Sequence, residues 1–142
     1  MRSVPNYFED TNMSREEEVE SALIALERAA LDLWGVGDPS GYLKISAPDI
    51  VYFDPFLERR LGGLDALTAL YESLRGTIHI DHYDLIEPKV QVCGEAAVLS
   101  FNLNSYSGNT VMHWNCTEVY RLDKQGWRLI QTHWSITQQL KS

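Results

Sequence analysis

The chain has 142 residues, 44% hydrophobic and 11% aromatic, a composition typical of one folded domain with a well-packed core. Its formal net charge of −8 argues against nucleic-acid binding, which needs a basic surface stripe, and against binding to anionic membranes. No stretch reaches the ~20 apolar residues of a membrane-spanning helix, and the polar N-terminus lacks the apolar core of a signal peptide, so a cytoplasmic location is expected.

The first predicted element is a long helix from Ser14 to Trp34, preceded by a flexible arm over residues 1–13. The Ser14 hydroxyl can accept from the Glu17 amide while the Glu17 carboxylate reaches back, which forms a capping box. Apolar residues then recur at three- and four-residue spacing, and Gly35 ends the helix.

Two shorter helices and a short strand follow. Asp38-Pro39 can start a second helix that stops at Ala47-Pro48. The apolar run Ile50–Phe53 predicts a strand, and Glu58–Gly63 reads as a polar loop. A third helix is predicted over Leu64–Arg75 from the apolar residues on one side.

Four consecutive strands complete the chain. The first covers residues 78–92 with an interruption near Pro88, and the others cover residues 95–106, 110–122 and 127–137, joined by tight turns. The run over residues 110–122 would span roughly 43 Å at ~3.3 Å per residue, so the sheet must curve strongly. Helices that precede a run of strands predict an α+β fold with an antiparallel sheet covered on one face by helices.

The strand over residues 95–106 is partly apolar on both faces. Leu99, Phe101 and Leu103 share one face, and Asn102 lies on the other. We expect the face with Leu99, Phe101 and Leu103 to be covered by a second subunit, which gives a homodimer through the sheet.

Several short motifs occur in a characteristic order along the chain. They are Tyr52-Phe53-Asp54-Pro55, Gly62-Gly63-Leu64-Asp65, Glu87-Pro88-Lys89-Val90, Cys93-Gly94-Glu95 and the ending Gly126-Trp127-Arg128-Leu129-Ile130-Gln131-Thr132-His133-Trp134-Ser135. Their order and spacing resemble the nuclear transport factor 2 superfamily. Within it, they resemble above all the association domain of calcium/calmodulin-dependent protein kinase II and its stand-alone bacterial relatives. The resemblance covers roughly residues 17–137.

The resemblance implies a cystatin-like cone, with a long N-terminal helix and two shorter helices on a strongly curved, mostly antiparallel sheet around a pocket. Residues 14–142 would form this single domain, and dimers would form through the sheet, with a higher oligomer left open. Inward arginines mark the pocket of the kinase domains. The aligned motifs place Asn102, Glu118 and Trp134 at those positions, so an anionic ligand is not expected.

Strand alternation and the resemblance together predict the pocket wall. Its members are Tyr52, Asn102, Trp114, Cys116, Glu118, Thr132 and Trp134. A wall of aromatic rings with a few polar groups is typical of a site for a small, largely apolar molecule. Glu118 is the candidate general acid or base, because burial raises the pKa of a carboxylic acid. The alternative is a structural role as partner of a nearby Arg or Tyr.

Tyr52 and Asp54 are further catalytic candidates. Tyr52 can donate to a ligand carbonyl, or it can be a core aromatic with a satisfied hydroxyl. Asp54 can face the pocket mouth, but a turn aspartate that bonds to the following amides is favoured. Cys93 and Cys116 are expected to be free thiols.

Metal and cofactor sites are not predicted. The four histidines do not share one face in a spacing that suits a metal, and we expect those at His113 and His133 to lie opposite Glu118. No glycine-rich phosphate loop or other cofactor motif is present in the sequence, so cofactor-free operation is expected.

Two functions stay open at this point. The first is a stand-alone homodimeric association-type domain whose internal pocket holds a small, largely apolar molecule without catalysis. The second is a cofactor-independent acid–base enzyme, of isomerase, hydrolase or cyclase type, that uses Glu118 in the pocket. A protein-transport adaptor has only the resemblance of the fold in its favour.

Overall fold

The computed structural model describes residues 13–137, so the predicted arm, apart from Met13, lies outside the described residues. Within these residues the chain forms three helices and six strands: α1 (Arg15–Trp34), α2 (Ser40–Ile45), β1 (Ser46–Phe53), β2 (Leu61–Gly62), α3 (Leu64–Leu74), β3 (His82–Cys93), β4 (Ala96–Ser107), β5 (Thr110–Asp123) and β6 (Gly126–Ile136). The predicted α+β fold is confirmed. Within residues 13–137, no helix is both long and apolar enough to cross a membrane.

Helix α1 begins at the predicted capping box. The Glu17 amide donates to Ser14 Oγ at 3.1 Å, and the Ser14 amide donates to Glu17 Oε1 at 3.2 Å. These two bonds satisfy amides that would otherwise lack partners in the first turn. At the other end the Gly35 amide donates to the Leu31 carbonyl, and the helix stops there as predicted.

The sheet has the strand order β2-β1-β6-β5-β4-β3. All neighbouring strands pair antiparallel except β1 and β6, which pair in parallel. This pair brings the first long strand beside the last one. This pairing starts β1 at Ser46, four residues before the predicted Ile50, because Ser46 pairs with Leu129 of β6. The predicted polar loop contains the two-residue strand β2, which pairs with Val51 and Tyr52.

Strand β3 is interrupted at Pro88 as predicted. The register with β4 shifts between Ile86 and Lys89, and Glu87 adopts a left-handed φ of 45°. Because proline has no amide hydrogen, it cannot donate to the ladder between β3 and β4, and a bulge in this edge strand accommodates it.

The inner face of the sheet, defined here as the face toward the helices, carries Leu99, Phe101 and Leu103. These three side chains are at most 5% exposed and belong to the hydrophobic core. The expectation that a second subunit would cover them is therefore wrong. Strand alternation shows which residues share a face, but the packing of the helices decides which face is buried.

Candidate functional site

A cavity of about 500 Å³ lies between the helices and the inner face of the sheet. Among the described residues, seven aromatic side chains from helices, strands and one turn line it: Trp34, Tyr42, Tyr52, Phe56, Tyr71, Trp114 and Trp134. The segment over residues 77–80, which follows α3, also borders the cavity, as do Ser107 and Thr110 at the β4–β5 turn. The combination of aromatic rings and few polar groups is that of a small-molecule site.

The aromatic rings of the cavity wall hold one another in place. The Trp34 and Tyr71 ring centroids are 4.8 Å apart, and the Tyr52 ring meets the Tyr71 ring edge-on at 5.5 Å. On the sheet side, Trp114 and Trp134 make a similar perpendicular contact at 5.8 Å. Such contacts favour a fixed cavity shape, because each ring limits the rotation of the next.

Tyr52 and Asp54 form a hydrogen-bonded pair in the cavity wall. The Tyr52 hydroxyl donates to Asp54 Oδ2 at 2.6 Å, while the amides of Phe56 and Leu57 donate to Asp54 Oδ1 at 2.7 and 3.1 Å. Asp54 is thus a turn aspartate that also lines the cavity. Burial, followed by the bond to Asp54, raises the pKa of Tyr52, so this hydroxyl keeps its proton.

Glu118 is fully buried beneath the cavity wall and is not among the residues that line the cavity. Thr132 Oγ1 donates to its Oε2 at 3.1 Å, and the Tyr120 hydroxyl lies 3.4 Å from its Oε1. Burial raises the pKa of Glu118, and these hydrogen bonds oppose the shift. Cys116 and Thr132 are buried beside it and do not line the cavity either.

A second buried carboxyl group, Glu27 of α1, was missed by sequence reasoning. It is 0% exposed, and the Tyr42 hydroxyl donates to its Oε2 at 2.5 Å. Its Oε1 has no hydrogen-bond partner among the described residues. Burial, and then the charge of neighbouring Glu118, raises the pKa of Glu27. Its position in the apolar stripe of the helix, four residues after Leu23 and four before Leu31, could have indicated that Glu27 is buried.

Asn102 does not belong to the pocket, so its predicted inward orientation is wrong. It is exposed on the outer face, where its Nδ2 donates to Asn115 Oδ1 at 2.7 Å. The β4–β5 register explains the error, because Asn102 pairs with Asn115, whereas Glu118 pairs with Leu99 of the inner face. His113 lies an odd number of residues from Glu118 in β5, and His133 directly follows Thr132 in β6. Both histidines therefore lie on the face opposite Glu118, as expected.

Within residues 13–137, no three His, Cys, Asp or Glu side chains come together in a way that could hold a metal ion. Cys93 and Cys116 are free cysteines, the first exposed and the second buried. Burial raises the pKa of the Cys116 thiol, which keeps it protonated and unreactive.

Residues 26–139 match the sequence model of the SnoaL-like domain family. The chain belongs to this family. Among curated proteins, none matches this SnoaL-like domain. The predicted resemblance to the nuclear transport factor 2 superfamily is confirmed, because solved structures of that fold superpose on nearly the whole described chain.

Three solved structures illustrate the range of relatives. A candidate ketosteroid isomerase from Parabacteroides distasonis is 41% identical, with a TM-score of 0.80 over 92% of this SnoaL-like domain and 96% of that protein. An NTF2-like protein of unknown function from Pseudomonas putida is 24% identical, with a TM-score of 0.77 over 92% and 93% of the two chains. The CaMKII hub of S. rosetta is 18% identical, with a TM-score of 0.67 over 89% and 100%, and shares the fold.

Proposed function

We propose that this SnoaL-like domain binds a small, flat, largely apolar molecule in its aromatic cavity. The observation that carries the proposal is the cavity of about 500 Å³ with seven aromatic side chains in its wall. A volume of this size is typical of a site that encloses most of a small organic ligand. Flat ligands fit best, because the fixed rings leave planar surfaces against which an aromatic or polycyclic body can stack.

A neutral, polarity-sensitive naphthalene dye such as Prodan tests this proposal. We expect saturable binding with a blue-shifted emission, and we expect Ser105→Phe to weaken binding at least ~10-fold, which corresponds to about 1.4 kcal/mol. Ser105 lines the cavity and is 8% exposed, so the added ring occupies the space of the ligand.

The matched control is Ser100→Phe, the same substitution on the outer face of the same strand. Circular dichroism checks that both variants fold. Equal binding by the two folded variants would place the dye outside the cavity and would contradict the proposal.

A cofactor-independent acid–base enzyme is the second candidate function. It is favoured by the Asp54 carboxylate in the cavity wall and by the 41% identity to a candidate ketosteroid isomerase. Asp54 would remove a proton from a bound carbonyl compound, because it borders the cavity. Glu118 would act from behind the wall, as a proton-holding group that supports the site through its neighbours.

The enzyme candidate is tested with a β,γ-unsaturated ketosteroid, whose isomerisation appears as the absorbance of the conjugated enone. Loss of a general base typically costs 10²–10⁴-fold in rate, so Asp54→Asn should reduce turnover by at least ~10². Unchanged turnover in Glu118→Gln would show that Glu118 does not support the site. Absence of turnover in the wild-type protein would contradict the enzyme candidate, and ligand binding would remain as the proposed function.

We also propose that the domain forms a homodimer, now through the outer face of the sheet. Asn102, Asn115 and Ser135 form a hydrogen-bonded row across three adjacent strands of this face. Such a row on long adjacent strands suits a flat, self-complementary contact. Static light scattering at micromolar concentration should give twice the 16.2 kDa chain mass, and a single-chain mass would contradict the dimer.

A further inference from the structure

The charged group that lines the cavity most directly is a carboxylate. Asp54 borders the cavity, and within residues 13–137 the lining includes neither lysine nor arginine. His79 lies at the rim with its side chain 71% exposed, and its Nε2 is 2.7 Å from Asp81 Oδ1. Any positive charge on this histidine is therefore matched by a carboxylate at the rim. The fixed charge within the wall is negative.

Two tyrosines of the wall donate their hydroxyl protons to carboxyl groups and therefore cannot donate them to a ligand. Tyr42 donates its proton to Glu27 at 2.5 Å, and Tyr52 donates its proton to Asp54 at 2.6 Å. With the proton engaged, each hydroxyl has lone pairs left for a further bond. Serine and threonine hydroxyls in the wall can donate or accept and do not discriminate between ligands.

The remaining wall is made of aliphatic side chains and aromatic rings, and the faces of the rings are the negative part of the ring quadrupole. An organic cation within ~6 Å of a ring centroid is attracted to such a face, and the attraction grows when water is excluded. Neighbouring rings in this wall have centroids 4.8 to 6.4 Å apart, so a cation in the cavity can contact several of them at once. Carboxylate, acceptor oxygens and ring faces all favour the same sign of ligand charge.

We propose that the cavity selects an organic cation, an amine carried on a flat apolar body, and that Asp54 determines this specificity. The inference rests on the proposed binding function and names the ligand class of the same site. The Asp54 carboxylate would receive the ammonium N–H groups, and the rings would enclose the apolar body. A carboxylate ligand would meet repulsion from Asp54 without a compensating cation in the wall.

Three naphthalene probes of nearly equal size test the selection: 2-naphthylmethylammonium, 2-naphthylmethanol and 2-naphthoate. Isothermal titration calorimetry at one pH and salt concentration gives their dissociation constants. We expect the cation to bind ~10-fold more tightly than the alcohol, and the carboxylate to bind more weakly than the alcohol. This ranking uses the wild-type protein and depends on no variant.

Asp54→Asn should lower affinity for the cation ~10-fold and lower affinity for the alcohol by a clearly smaller factor. Asp84→Asn is the matched control, because Asp84 also accepts a tyrosine hydroxyl, from Tyr106 at 2.7 Å, but lies outside the cavity wall. A cation that binds no better than the alcohol, or an equal loss in both variants, overturns the charge selection while the binding function stands. Failure of all three probes and of the neutral dye contradicts the binding function itself.

Discussion

Leu99→Ala should lower the free energy of unfolding by ~2–5 kcal/mol, the range for truncating a fully buried leucine. Leu99 is 0% exposed on the inner face of β4, so the surrounding core cannot close the space completely. Urea denaturation followed by circular dichroism measures the change.

Ser100→Ala on the same strand provides the control for this prediction. Ser100 lies on the outer face, where a substitution of this size usually changes the free energy of unfolding by less than ~0.5 kcal/mol. Similar effects of the two substitutions would mean that the assignment of inner and outer faces is wrong.

Glu27→Gln should stabilise the protein at pH 8, by roughly 1–3 kcal/mol, because glutamine cannot become a buried anion whose desolvation is poorly compensated. The folded-state pKa values of Glu27 and Glu118 are raised above the ordinary value for glutamate, ~4.3. Their contribution to stability is therefore complete below that value and is lost as the pH rises through the raised values. Glutamine keeps the contact with Tyr42 and cannot ionise.

Urea denaturation between pH 5 and pH 9 measures this effect. The wild-type free energy of unfolding should fall with rising pH, and Glu27→Gln should show a smaller fall. Glu20→Gln is the control, because Glu20 is exposed on the same helix. If the free energies of unfolding of the wild type and Glu27→Gln changed in parallel with pH, Glu27 would not lose a proton on unfolding in this range.

Local signals in the sequence were sufficient for most of the elements. The capping box at Ser14 involves residues three apart, so it needs no tertiary information. The long strands were also predictable, because the turns at Gly108 and Gly126 adopt positive φ values that glycine permits. The interruption of β3 was predictable from Pro88 for an equally local reason, because proline lacks an amide hydrogen.

The site could be predicted only in part, because its details depend on packing between distant segments. The predicted Tyr52, Trp114 and Trp134 do line the cavity, whereas Asn102 lies on the opposite face. Glu27 was missed because a glutamate on a helix is usually solvated, and only the contact between α1 and Tyr42 of α2 shows that it is buried.

The parallel pairing of β1 with β6 has a consequence for how the protein folds during synthesis. The Arg128 guanidinium donates to the Ser46 carbonyl at 2.9 Å, across a separation of 82 residues. Among the described strands, β1 has only the two-residue β2 as a neighbour until β6 has left the ribosome, so the cavity wall cannot close. Contacts this distant along the chain slow folding, and we expect this nascent domain to stay incompletely folded until β6 emerges.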